Sequence, residues 1–285
     1  MRRVTFPQRP EWQRTVEDLG FFYHTVNGTP YWNEGAAYEF SFREIETLES
    51  ATNTLQELAI QAVEQIISRD WFGRMGLDDR ARKLILASWE RDPPDLSLYG
   101  RFDLAWDGSG PPKLLEYNAD TPTSLFEAAV VQWQWFEEVR PGSDQFNSIH
   151  ERLIQRWQEM LQKMGMGTVH LACMDSAEDS GNLRYIGDCA AQAGIKVVAQ
   201  LLMQDIGWDG QQFVDDTGRR IANLFKLYPW EWLLQDEFGD RIEAMRITEP
   251  IWKMLLSNKA LLPLLWELYP YHPNLLNADF KPLSG

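Results

Sequence analysis

The stretch from Thr168 to Leu202 constrains the fold most, because two apolar runs flank a segment with helical spacing. The first run, TVHLAC, is predicted to be a strand. A helix is predicted from Asn182 to Ala193, with Gly194 ending it, and the second run, IKVVAQLL, is predicted to be the next strand. Strands and helices therefore interleave along the chain, which indicates the α/β class.

Further elements are predicted from apolar periodicity, capping residues and Gly or Pro breaks. The longest helix begins at a capping box formed by Ser41 and Glu44. Helices are predicted over 42–66, 79–89, about 123–139, about 144–164 and 257–269, a second β-hairpin over 213–225 and a strand over 251–255. Residues 1–40 are predicted to be irregular. We predict three portions: a helical and hairpin portion over 1–165, an α/β portion over 166–247, and a third over 248–285.

The chain is strongly acidic, with a formal net charge of −15 at pH 7 and a pI of about 4.7. An acidic surface repels phosphate backbones and anionic lipid headgroups, so we expect neither nucleic acid nor a membrane surface as a partner. The same charge would attract a cationic small molecule such as a polyamine, and it also serves solubility. The charge alone leaves both interpretations open.

The two cysteines, Cys173 and Cys189, show no CxxC spacing. They are expected to be buried thiols in a protein of a reducing compartment. The basic N-terminus lacks the apolar run of a signal peptide, and no stretch approaches the ~20 apolar residues of a membrane span. We therefore expect a cytoplasmic protein.

Polar residues alternate with apolar ones on both sides of the turn-rich sequence DGSGPP, which predicts a β-hairpin. On the first strand, Arg101 and Asp103 are two residues apart and share one face. On the return strand, Glu116, Asn118 and Asp120 share a face in the same way. If the two faces coincide, one patch of sheet carries an Arg, three acids and an Asn.

This patch has the chemistry of a magnesium and phosphate site. Carboxylates held this close repel each other unless a cation lies among them, and Mg²⁺ is usually bound by one or two carboxylates plus substrate phosphates. Arg101 would then neutralise a phosphate or a substrate carboxylate. Thr121, Thr123 and Ser124 follow and offer hydroxyls. Alternation by itself also fits a half-buried hairpin with an ordinary solvated face, although Asn and Asp are depleted from strands.

Several runs resemble the ATP-grasp ligases of the glutathionylspermidine synthetase family. They are YWNEGAAYEF, YGRFDLAW, KLLEYNADTPTS, FKLYPWEWL and EPIWKMLLSNKALLPLLWELYPYHPNLL, and they occur in the family's order over nearly the whole chain. The resemblance implies an α/β pre-ATP-grasp-like domain followed by the beginning of an ATP-grasp domain, whose nucleotide-binding portion would start within residues 248–285. Members of that family join a peptide carboxylate to an amine with ATP, through an acyl phosphate.

The resemblance also implies roles for individual residues. Arg101 would contact ATP and the peptide substrate as the catalytic residue, and Phe102 and Asp103 would contact ATP. Asp103, Glu116 and Asn118 would bind Mg²⁺. Lys259, in SNKALL, matches a nucleotide-binding lysine of the family.

Substrate contacts follow from the same resemblance. Thr121 and Thr123 stand where the family has serines near the peptide substrate, which keeps the hydroxyl. Glu178 and Asp179 resemble an acidic pair that meets the amine and the peptide, and a helix-capping role fits them equally well. Leu227 replaces a threonine that touches glutathione in the family, so glutathione itself is in doubt as the substrate.

The family continues past the position of Gly285 with a second ATP lysine and a glycine-rich lid. Lys281 does not match that lysine, so we expect the chain as given to hold an incomplete ATP site. The leading hypothesis is an ATP-dependent ligase for a peptide-like carboxylate and an amine. The alternatives are a non-catalytic polyamine- or peptide-binding protein, and an α/β protein whose hairpin acids are surface residues. The oligomeric state is not indicated.

Overall fold

The structure, a computed structural model, describes residues 1–281. In chain order its strands are β1 (Arg2–Thr5), β2 (Thr25–Val26), β3 (Thr29–Pro30), β4 (Ala36–Glu39), β5 (Arg101–Ala105), β6 (Lys113–Asn118), β7 (Thr168–Cys173), β8 (Lys196–Leu202), β9 (Gly207–Trp208), β10 (Phe213–Val214), β11 (Asn223–Leu227) and β12 (Arg246–Thr248). Its α-helices are α1 (Trp12–Asp18), α2 (Phe42–Ser68), α3 (Asp79–Trp89), α4 (Gln132–Val139), α5 (Ile149–Met164), α6 (Ala177–Gln192), α7 (Trp230–Leu233), α8 (Met254–Ser257) and α9 (Leu261–Leu268). Short 3₁₀ segments and a π-helical turn complete the chain: Trp71–Met75, Met203–Asp205, Gly239–Ala244, Ile251–Lys253 and Glu127–Val131.

A four-stranded sheet lies at the centre, in the order β12-β11-β7-β8. All three pairings are parallel, and α6 crosses from β7 to β8, so the predicted α/β class is confirmed. The helix lies very close to the sheet at Gly187. A Cβ there would come within 2.7 Å of Leu171 Cδ1, so only glycine fits without displacing that side chain.

Two apolar cores cover opposite faces of the sheet. Neighbouring residues of a strand point to opposite faces, and Leu224 belongs to one core while Phe225 belongs to the other. The first core is closed by α2, α8 and α9, and the second by α5 and α6. Trp157 of α5 lies over Phe225 with ring centroids 6.2 Å apart. Each core draws side chains from both before and after residue 166, and the three-portion division stays a prediction.

Capping residues located the first two long helices correctly. Ser41 and Glu44 form the predicted capping box at the start of α2, and Asp78 accepts from Ala81 N at 2.8 Å at the start of α3. Other helix starts were misplaced. α5 begins at Ile149, five residues after the predicted start at 144, and α6 begins at Ala177, five residues before the predicted start at Asn182.

Two sequence predictions were wrong, and a third was confirmed only in part. Within the predicted second hairpin, Val214 pairs antiparallel with Arg220, and Ile221 N donates to Phe213 O at 2.8 Å. The hairpin does not extend to residue 225, because β11 joins the central parallel sheet, and β10 also pairs with β9. Residues 251–255 are helical rather than a strand. The prediction failed because a short buried apolar run has no periodicity that separates strand from helix. Part of the first 40 residues is regular, with β1 and β4 paired antiparallel.

Both cysteines are buried and free, as predicted, and burial raises the pKa of each thiol to about 11. Within residues 1–281, none of the helices is both long enough and apolar enough to cross a membrane. The last four residues of the third predicted portion, 282–285, lie outside the described part of the chain.

Candidate active site

The two polar faces of the predicted hairpin do coincide. β5 and β6 pair antiparallel, with Arg101 opposite Asn118 and Asp103 opposite Glu116. Side chains directly opposite each other in an antiparallel pair project to the same side, so these four lie together. All four are half-buried, which leaves their polar atoms open to a ligand. We call these four residues the polar face.

Hydrogen bonds join the polar face into one network. Arg101 Nε donates to Asp103 Oδ1 at 2.9 Å, and Arg101 Nη2 to Asp103 Oδ2 at 3.4 Å. In the amide orientation that satisfies both neighbours, the Asn118 oxygen accepts from Arg101 Nη2 at 2.9 Å and its nitrogen donates to Glu116 Oε1 at 3.1 Å. The Arg fork therefore spans an acid of β5 and the amide of β6.

Lys259, the predicted nucleotide lysine, reaches this network from a distant part of the chain. It lies between α8 and α9, and its Nζ is 2.6 Å from Glu116 Oε1. The Lys259 side chain is 71% exposed and the Glu116 side chain 33%. An ion pair this exposed contributes little stability, so the lysine is free to turn toward an arriving phosphate.

Asp120 does not belong to the polar face, contrary to the sequence expectation. β6 ends at Asn118, so the two-residue alternation no longer applies at Asp120. Its carboxylate is buried, and Lys226 Nζ donates to Oδ1 at 2.5 Å while Trp230 N donates to Oδ2 at 2.9 Å. The polar face thus holds two carboxylates rather than three.

The remaining hairpin candidates fall in different places. Thr123 lies beside Arg101, whose Nη1 is 3.4 Å from both Thr123 O and Oγ1. Thr121 is half-buried just past the end of β6. The Phe102 ring points to the opposite side of the hairpin and packs on Tyr117 with ring centroids 4.1 Å apart, so only its backbone lies along the polar face.

Glu178 and Asp179 occupy the first turn of α6, where the helix dipole favours acids. Ser176 Oγ, not either acid, caps the helix by accepting from Asp179 N at 3.0 Å. Burial raises the pKa of Asp179, opposed by the Ser176 hydroxyl and reinforced by Glu178. The same helix reaches the segment after Thr123, since its Asn182 Oδ1 accepts from the backbone N–H of Leu125 at 2.9 Å.

Sequence analysis missed one acid beside this pair. Glu127 is 7% exposed, and its Oε1 accepts from Tyr31 OH at 2.8 Å. Among residues 1–281, its Oε2 and the buried hydroxyl of Tyr23 make no hydrogen bond of normal geometry, although the two groups lie near enough for Glu127 to raise the pKa of Tyr23. Burial raises the pKa of Glu127, and the nearby Glu178 carboxylate raises it further. The sequence signal for Glu127 is its position directly after the apolar pair Leu125 and Phe126.

The donor set of the polar face fits Mg²⁺. Residues 1–281 contain no group of three or more His, Cys, Asp or Glu placed to hold a metal ion. Asp103 and Glu116 are two carboxylates, which is the number Mg²⁺ uses when phosphates and waters supply its other ligands. Each carboxylate is paired with a cation in the structure, Asp103 with Arg101 and Glu116 with Lys259.

The chain matches a known protein family and several curated relatives. Residues 3–285 match the family model described as glutathionylspermidine synthase preATP-grasp. The chain is 44% identical over 296 residues to a Haemophilus influenzae protein provisionally named an acid–amine ligase, covering 100% of this chain and 74% of that protein.

More distant relatives carry more specific names. The chain is 26% identical to the bifunctional glutathionylspermidine synthetase/amidase of Escherichia coli, over 81% of this chain and 41% of that protein. It is 25% identical to the trypanothione synthetase of Crithidia fasciculata, over 80% of this chain and 39% of that protein. The chain thus spans less than half the length of these two enzymes. The family match over nearly the whole chain, together with the 44% identity, shows that this protein belongs to the glutathionylspermidine synthase pre-ATP-grasp family.

Proposed function

We propose that the protein contributes to an ATP-dependent ligase that joins a peptide-like carboxylate to an amine. One observation carries the proposal: Arg101, Asp103, Glu116, Asn118 and Lys259 form a single network of cations, acids and an amide on one face of a hairpin. The family relationship supports the same reaction class, because the relatives are named as ligases and synthetases. ATP and Mg²⁺ are the proposed co-substrate and metal.

The polar face suits transfer of a phosphoryl group. Asp103, Glu116 and the Asn118 amide would hold Mg²⁺, which supplies charge neutralisation on the phosphates. Arg101 would orient the substrate carboxylate with its fork while Lys259 binds the nucleotide phosphates. A carboxylate oxygen then bonds to the γ-phosphorus, the bond to the bridging oxygen breaks, and ADP leaves.

The second half of the reaction needs an amine next to the acyl phosphate. The amine nitrogen bonds to the acyl carbon, the bond from that carbon to the phosphate oxygen breaks, and phosphate leaves. An ammonium substrate gives up two protons in the process, to phosphate and solvent. Glu127 follows Thr123 by four residues, and Glu178 and Asp179 begin the helix whose Asn182 accepts from Leu125 N; we propose that these three acids bind the cationic amine.

The acidic charge of the chain supports a cationic amine of the polyamine type, and the buried free thiols support a cytoplasmic location. The peptide partner is proposed to be glutathione-like rather than glutathione itself. Leu227, which replaces a threonine of the family, is buried in the second core and offers no hydroxyl.

The test is product formation by the full-length gene product. Mg²⁺-ATP would be incubated with glutathione or other short peptides and with spermidine or related amines, and ADP release and the mass of the product followed. The proposal expects ADP release that needs both substrates and an amide product lighter by one water than the sum of the two. Amine or peptide binding without ADP release in every combination would contradict it and support the non-catalytic binding protein.

A further inference from the structure

The polar face is held at its far end by a buried ion pair. Asp120, two residues past Asn118, accepts from Lys226 Nζ at 2.5 Å. The Lys226 side chain is 0% exposed and also donates to Tyr228 O at 2.8 Å. An ammonium in such a place is tolerated only with its partners in position, so the pair fixes where the chain goes after β6.

A second buried ion pair holds the near end. Glu249 Oε1 accepts from the backbone N–H of Leu98 at 3.0 Å and of Tyr99 at 2.9 Å. Lys253 Nζ donates to Glu249 Oε2 at 2.6 Å and also to the Tyr99 carbonyl. The anchored backbone lies two residues before Arg101, so both ends of the polar face are tied to buried charges.

Trp230 connects the two pairs. Its backbone N–H donates to Asp120 Oδ2 at 2.9 Å, and its indole Nε1 donates to Glu249 O at 3.0 Å. The Lys226 ammonium lies 4.8 Å from the centroid of the Trp230 ring. The two pairs are therefore one connected unit.

Ser257 ties the lysine segment to the same place. Its Oγ accepts from Ala119 N at 2.9 Å and from Asp120 N at 2.8 Å. Ser257 ends α8 two residues before Lys259, and Ala119 follows Asn118. One hydroxyl thus sets the distance between the chain that carries Lys259 and the strand that carries Glu116.

We propose that Ser257 and the two bridged ion pairs, Asp120–Lys226 and Glu249–Lys253, are positioning residues that align Lys259 and the polar face for the nucleotide. This inference rests on the proposed function. Phosphoryl transfer depends on charges placed to within a fraction of an ångström, and half-exposed side chains keep such placement only if their backbone is fixed. The buried unit supplies that fixation from four separate segments of the chain.

The experiment compares Mg²⁺-ATP binding by isothermal titration calorimetry in full-length wild type, Ser257→Ala and Ser257→Thr. Ser257→Ala removes the acceptor for both backbone N–H groups, whereas Ser257→Thr keeps the hydroxyl. Ser88→Ala is the matched control. Ser88 lies on α3, and its Oγ donates to the buried Asp95 Oδ2 at 2.8 Å, but it is hydrogen-bonded neither to Ser257 nor to the two ion pairs. Thermal midpoints and circular dichroism check the fold.

The expected result is a Kd for Mg²⁺-ATP raised about tenfold in Ser257→Ala, restored in Ser257→Thr and unchanged in Ser88→Ala. Where Ser257→Ala does not fold, Trp230→Phe removes the indole donor to Glu249 O, keeps an aromatic ring near the Lys226 ammonium, and is expected to raise the Kd in the same direction. Wild-type affinity in the folded variants overturns the inference. A wild type that binds no Mg²⁺-ATP overturns the proposed function instead, so the two failures are distinguishable.

Discussion

Lys259 Nζ lies 2.6 Å from Glu116 Oε1, although the two residues are 143 positions apart in the chain. The pair joins the segment before α9 to the return strand of the hairpin. It brings the lysine that is proposed to bind the nucleotide against the acid that is proposed to bind the metal. An exposed pair of this kind contributes little to stability, so its geometry bears on binding rather than on folding.

Lys259→Met should weaken Mg²⁺-ATP binding about tenfold or more and leave the fold intact. The side chain is 71% exposed, so its loss removes a phosphate partner without opening a cavity. Titration calorimetry of the full-length protein would measure the Kd. Lys83→Met is the matched control, since Lys83 is exposed on α3, and an equal loss in both variants would show a non-specific charge effect.

Arg101→Lys should lower kcat/KM about 10- to 100-fold while the fold is kept. A lysine keeps the charge but loses the planar fork that spans Asp103 and Asn118 in the structure. Steady-state ADP release at saturating Mg²⁺ would measure the effect. Arg82→Lys, on α3, should leave kcat/KM unchanged; if Arg101→Lys behaves the same way, Arg101 acts only through its charge.

Asp120→Asn should destabilise the protein by about 3–5 kcal/mol, because it leaves the buried Lys226 ammonium without a carboxylate. The double variant Asp120→Asn with Lys226→Met should lose less free energy of unfolding than Asp120→Asn alone, since no charge stays unpaired. Denaturant unfolding of the 285-residue chain would measure both. Asp70→Asn, which breaks the exposed pair with Arg82, is the control and should change little. If the loss of stability in the double variant equals the sum of the losses in Asp120→Asn and Lys226→Met, Asp120 and Lys226 are not coupled.

Glu127→Gln should make the protein more stable at neutral pH and less able to bind an amine. Burial raises the pKa of Glu127 above its ordinary value of 4.5, so the folded state holds this proton more tightly than the unfolded state. Stability from this group is present below the unfolded pKa and is lost as pH rises through the folded pKa. Thermal midpoints of wild type should therefore fall relative to Glu127→Gln as pH rises from 4 to 8, and parallel curves would contradict the shift.

The hairpin could be predicted because its signals are local. Alternation with a period of two placed Arg101 with Asp103 and Glu116 with Asn118, and a turn-rich stretch set the two strands opposite each other. The wrong prediction for Asp120 also has a physical cause. Its true partner, Lys226, is 106 residues away in a strand that otherwise reads as apolar, and no local pattern reports such a contact.

Other parts of the site depend on tertiary contacts in the same way. Glu127 faces Tyr31 from 96 residues away, and Ser257 meets Asp120 from 137 residues away. The apolar run at 251–255 predicts a strand although it is helical, because full burial removes the periodicity that identifies a helix. The family resemblance, by contrast, was confirmed because its motifs are read directly from the residues.

The most direct test of the proposed ligase site compares Glu116→Gln with Glu57→Gln in the full-length protein. Glu116 is proposed to hold Mg²⁺, while Glu57 is an exposed acid on α2 that changes charge by the same amount. The measurement is ADP release with Mg²⁺-ATP, a peptide and an amine, at matched circular dichroism. The proposed site predicts that kcat/KM falls about 100-fold or more in Glu116→Gln and stays at the wild-type value in Glu57→Gln. Wild-type turnover by folded Glu116→Gln would contradict it.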